Sequence, residues 1–171
     1  EKIETFELMV NVTKMLTAVD LSAPEDLELG QNVILRAKVL DENGQPVSGQ
    51  NVVFKLDSTV LGSAVTNGLG EATLSYLVEA KAGSYTLSAQ FAGSDIHEQS
   101  STSIQLRIEP LTLVIKTDFP NIEIATIAGT AHVSNSEGDV RVEIDSLDRI
   151  SVEVKPAVDI SGGSRGTFFQ W

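Results

Sequence analysis

The 171-residue chain has no cysteine, which excludes a disulfide framework, a thiol nucleophile and a zinc-thiolate site. It is also short of basic residues: 12 Lys and Arg stand against 24 Asp and Glu, for a net charge of −12. Such a surface repels nucleic acid backbones and anionic membranes, so neither is an expected partner. No window approaches the roughly 18 consecutive apolar residues of a membrane helix, and no basic-then-apolar start reads as a signal peptide. The sequence begins at Glu1 with no Met, which reads as a removed leader or a fragment. Helical periodicity is missing too. PEDLEL (24–29) and EAKA (79–82) are the only places where a helical turn fits, and each is too short to stand alone.

What is present is alternation of apolar and polar residues, the period of a strand with one buried face. Val33, Leu35, Ala37 and Val39 alternate in one run; Val52, Phe54 and Leu56 in another; then Ala72, Leu74 and Tyr76; Tyr85, Leu87, Ala89 and Phe91; and Ile104, Leu106 and Ile108. Each run ends at Gly, Asn, Asp or Ser. The expected strands are 14–21, 31–40, 50–56, 59–66, 71–78, 84–91 and 102–109. Seven short strands in about a hundred residues predict an all-β fold, an immunoglobulin-like sandwich.

Two stretches share a layout. TFELMVNVTKMLTAVDLSAP (5–24) and TSIQLRIEPLTLVIKTDFP (102–120) each read as a strand, a short break, a second strand, Asp and Pro. Both read as joints between consecutive sandwich domains. The expected organisation is therefore tandem: residues 1–12 the last strand of a preceding domain or a donor strand, 13–109 one seven-stranded sandwich, and 110–171 a second small β-domain. The end TFFQW (167–171) is aromatic and lacks a closing turn, which reads as truncation or as a surface covered by a partner.

Three blocks carry a resemblance: GQNVILRAKVLDENGQPVSGQNVVF, TNGLGEATLSY and AGSYTLSAQFAGSD, together spanning residues 30–95. In this order they resemble the bacterial immunoglobulin-like domains strung together in invasins, intimins and surface-layer proteins. The resemblance implies a tandem rod that projects an adhesive tip or builds a coat, with no active site of its own. Gly162, Gly163, Arg165, Phe168 and Trp171 are similar to the end of a small β-domain of archaeal cell-surface and secreted proteins, GGxRyxFxxW, with Gly166 where that family often has an aromatic residue.

The acidic stretch DENGQPVSGQNVVF (41–54) raises the question of a cation site. Calcium takes about six to eight oxygens gathered from several carboxylates. Asp41, Glu42 and Asn43 offer some, but the stretch lacks the EF-hand spacing. Asn43-Gly44 suits the positive torsions of a tight turn, so the expected structure is a hairpin between two strands. Structural calcium at the joints would draw on Glu25, Asp26, Glu28, Asp118 and Glu123; solvated surface charge is the simpler reading.

For catalysis, His97 and His132 are the only histidines, both in polar, turn-like settings and neither beside a GxSxG elbow. SGGSRG (161–166) is followed by a strand pattern where a phosphate cradle requires a helix, so it reads as a hairpin connection. Asn11-Val12-Thr13 is the one N-glycosylation sequon. No cofactor is called for and no enzyme is expected. The expected role is a structural module of an extracellular surface protein, as stalk, coat or adhesin spacer, with neighbouring domains or subunits of the same protein as partners and strand exchange as a mode of assembly. A second expectation is an accessory domain of a secreted hydrolase that binds carbohydrate through Phe168, Phe169 and Trp171.

Overall fold

Strand β1 (Thr17–Ser22) begins an architecture built wholly from extended segments; among the described residues there is no helix. The computed structural model describes residues 13–116 and 135–147, together with the backbone of strands in 123–127, 130–133, 152–154, 157–160 and 164–167. After β1 come β2 (Asp26–Glu28), β3 (Asn32–Asp41), β4 (Asn51–Leu56), β5 (Thr59–Val65), β6 (Glu71–Leu77), β7 (Gly83–Phe91) and β8 (Ser100–Glu109). They form two sheets, β1-β3-β6 and β2-β8-β7-β4-β5.

The seven expected strands are all present, and their alternation produces the core. Val33, Leu35, Ala37 and Val39 of β3 face Val52, Phe54 and Leu56 of β4 and Leu87, Ala89 and Phe91 of β7, all buried in one cluster. Side chains of this size contribute about 1.5–3 kcal/mol each when fully buried, which makes this layer the main stabilising element. The outer positions of the same strands carry Arg36, Lys38, Lys55, Ser84 and Gln90, in keeping with a sheet that has one wet face.

Three local expectations are corrected. PEDLEL is a strand, not a helical turn: β1 leaves the ladder with β3 after Ser22, Pro24 offers no N–H to continue it, and β2 joins β8 in parallel with Leu27 buried. EAKA is an irregular connection, preceded by the fully buried Val78, which accepts the Gly30 N–H at 2.8 Å and donates to Gln31 O at 2.9 Å. DENGQPVSGQNVVF is not a hairpin between paired strands, because β3 and β4 lie in different sheets. The chain folds back briefly, with Leu40 bridging Pro46 and Val47 N–H donating to Val39 O, then crosses to the facing sheet.

Beyond β8 a single residue, Pro110, separates the sandwich from β9 (Leu111–Lys116). The later strands β10 (Glu123–Ile127), β11 (Thr130–Val133), β12 (Asp139–Ile144), β13 (Val152–Val154), β14 (Ala157–Ile160) and β15 (Ser164–Thr167) pair among themselves and with β9, as β12-β9, β11-β10-β13 and β14-β15. The antiparallel β14-β15 pair agrees with a hairpin reading of SGGSRG. His132 lies within β11, a strand and not the turn its neighbours suggested.

Candidate functional site: joints, turns and an open flank

The acidic turn spends its carboxylate on its own backbone. Asp41 Oδ1 accepts the N–H groups of Asn43 (2.9 Å) and Gln45 (2.8 Å), Gly44 N–H donates to Asp41 O, and Asp41 N–H donates to Gln45 O. Only Gly44 takes a positive φ, +75°; Asn43 does not. The same set of four bonds recurs at Asn67-Gly-Leu-Gly70-Glu71 and at Asn135-Ser-Glu-Gly138-Asp139, where φ is +74° at Gly70 and +85° at Gly138. The signal for it, Asp or Asn three residues before Gly, is readable in the sequence at all three places, although the expectation singled out only the first.

Among the described residues, no three His, Asp or Glu side chains come together in a way that could hold a metal ion. Glu25, Asp26 and Glu28 line the short parallel strand. Asp118 lies outside the described residues, and of Glu123 only the backbone is described. Asn11, Phe168, Phe169 and Trp171 also lie outside the described residues. His97 is half-buried and pairs through Nδ1 with Ser94 Oγ at 3.1 Å, while the same oxygen accepts the His97 N–H at 3.2 Å. Its surroundings are those of a loop clasp and offer no nucleophile-base-orienter constellation. No helix among the described residues is long and apolar enough to cross a membrane.

Both ends of the sandwich are fastened. At the upper end Met15 lies parallel to His97, donates its N–H to Ile96 O (2.9 Å) and accepts the Glu98 N–H (2.8 Å). Thr17 Oγ1 then reaches Glu98 O at 2.9 Å and Ser100 Oγ at 2.6 Å, which ties β1 to β8 across the two sheets. At the lower end the loop after β12 returns to the sandwich: Ala82 N–H donates to Asp145 O at 2.7 Å, and Leu147 Cδ2 sits 3.7 Å from where a Cβ on Gly30 would be. With one residue between β8 and β9 and this second contact beside it, the lower joint is held at two points.

The flanks differ. On one, β1 and β2 close the sandwich. On the other, β5 and β6 are edge strands that face each other across a cleft of about 670 Å³. Leu61, Tyr76, Ala80 and Tyr85 line it and remain only half-buried. Tyr76 and Tyr85, which come from opposite sheets, are the only tyrosines in the chain.

Residues 20–109 match the family model for the bacterial Ig-like domain (group 3), a stretch longer than half the chain. Among solved structures, the chain is similar to the CARDB domain of PF1109 from Pyrococcus furiosus, at 15% identity over 54% of this chain and 93% of that one, with a TM-score of 0.43. It is similar to a superoxide reductase (neelaredoxin) from Ignicoccus hospitalis at 16% identity over 54% and 80%, with a TM-score of 0.41. It is similar also to the adhesin InvE of Yersinia pseudotuberculosis at 14% identity over 84% and 65%, with a TM-score of 0.38. At these scores no ligand or activity transfers from any of the three. A search of curated proteins returns no match.

Proposed function

The chain belongs to the bacterial Ig-like domain (group 3) family, and we propose that it serves as a non-catalytic structural module of an extracellular surface protein, holding neighbouring modules at a fixed separation and angle. The observation that carries this reading is the lower joint. A one-residue passage through Pro110, with the Ala82–Asp145 hydrogen bond and the Leu147–Gly30 contact alongside, is the construction of a stiff connection and not of a Gly/Ser tether. On this reading residues 13–109 are one module and 110–171 belong to the next, while residues 1–12 supply the end of a preceding module or a strand given to a neighbouring subunit. The polar groups already described are consumed in turns and clasps, which supports a role in construction over one in chemistry. The test is labelling of intact cells of the source organism with an antibody raised against residues 13–109. Labelling before lysis is expected, and signal confined to lysed cells would overturn the surface assignment.

A further inference from the structure

The open flank has the features of an acceptor. Among the described residues strand β5 pairs only with β4, so no described strand pairs its outer row of backbone N–H and C=O groups. Natural edge strands are commonly protected by Lys, by Pro or by a covering loop. The β5 sequence, TVLGSAV, has no charge and no proline, and it exposes Val60 (59%) and Val65 (63%). A bulge between Phe54 and Lys55 leaves Leu61 without an opposite residue on β4 and bends the strand. One residue further on the strand presses close again, since a Cβ on Gly62 would lie 3.1 Å from Leu74 Cδ1. The cleft therefore opens beside the first half of β5 and is pinched off beyond it.

Its chemistry selects among partners. The floor is Leu61, Tyr76 and Tyr85, and Tyr85 donates its phenol proton to Lys81 O at 2.9 Å. Asp57 and Glu79 are at the rim, both exposed, and among the described residues no Lys or Arg lines the cleft. Asp57 Oδ1 accepts the Thr86 N–H at 2.8 Å. A second copy of this chain would bring −12 of charge against −12.

We infer that the β5/β6 flank receives an extended strand of a different protein, added to the β5 edge, with a bulky apolar side chain in the cleft and a Lys or Arg beside Asp57 and Glu79. Backbone pairing supplies the affinity, the cleft selects the apolar residue and the two carboxylates select the cation. This inference does not depend on the spacer reading, which concerns the joints.

The test uses the full chain, labelled with nitrogen-15, and two synthetic peptides of one alternation, Ac-KVFVKVTVK-NH2 and Ac-EVFVEVTVE-NH2. The lysine peptide is expected to shift the amide signals of Thr59–Val65, with the glutamate peptide weaker by about tenfold or more. Asp57→Asn with Glu79→Gln should bring the two peptides together in affinity; Asn tolerates the φ of +49° found at Asp57, so the turn is kept. Val60→Lys, which adds the missing edge charge, should abolish binding of the lysine peptide while β3 amides stay in place. Equal affinity of the native chain for both peptides, no shift with either, or shifts confined to the β1/β2 flank would overturn the inference. So would dilution-dependent shifts in β5 without peptide, which would make a second copy the occupant.

Discussion

On the β1/β2 flank Leu21, Leu27 and Ile108 are 7, 0 and 1% exposed, whereas on the β5/β6 flank Leu61, Tyr76 and Tyr85 are half-buried at the mouth of a cleft. Both flanks come from strands of similar alternation. The difference arises in how the chain connects them. Between β1 and β2 it changes sheets at Pro24, so one continuous run closes the gap and Thr17 bonds across to Ser100. Between β5 and β6 the change of sheet is made by a turn at one end, Asn67 to Gly70, and nothing among the described residues spans the lower half of the gap. A sandwich can thus complete its core on one side and leave its other side for a partner, with no change in the pattern of its strands.

The largest expected effect lies on the closed flank. Leu27→Ala removes a fully buried side chain from a three-residue strand and should cost about 2–5 kcal/mol in urea unfolding. Leu61→Ala on the open flank should cost about 1 kcal/mol, because much of its surface already meets solvent. Equal costs would remove the distinction between the flanks.

The next effect concerns the turn that holds the open flank at its upper end. Gly70 has φ +74°, and a Cβ there would meet Val39 O at 2.5 Å, so Gly70→Ala should destabilise by about 2 kcal/mol or more. Gly44→Ala meets open space at φ +75° and should cost about 1 kcal/mol, the torsional term alone. Thermal melts of the two variants measure the difference directly.

Smaller still is the cross-sheet clasp. Thr17→Ala leaves Ser100 without its 2.6 Å partner and should cost about 1 kcal/mol, with faster amide exchange in β1 but not in β5. Val60→Lys should leave stability within about 0.5 kcal/mol of the parent, since the side chain is 59% exposed. Its consequence is confined to partner binding.

Much of this was legible in the sequence. Period-two alternation places Val33 to Val39 and Tyr85 to Phe91 on the core face because a pleated strand sends successive side chains to opposite sides. Alternation carries no information about which strands pair, so the crossover after Asp41 read as a hairpin. PEDLEL misled for a related reason: its strand has only three residues, and two buried leucines, Leu27 and Leu29, are too few to establish a period. A turn was expected at 41–44 from Asn43-Gly44 and not from the Asp41 carboxylate that makes it, and the equivalent turns at Asn67 and Asn135 were missed, where the residues between Asn and Gly are less polar or less acidic. The open flank was invisible, because an edge is a property of sheet order, and the tyrosines that line it alternate as ordinary core residues do.

On the proposed function, the sandwich and the strands after it are joined stiffly at the lower end. Residual dipolar couplings of the aligned full chain, collected for β3, β4, β7 and β8 on one side and β9 and β12 on the other, test it most directly. One alignment tensor fitting both sets is the predicted result, with Leu147→Gly and Ala82→Pro together separating them. Two tensors of different magnitude in the unmodified chain would contradict it.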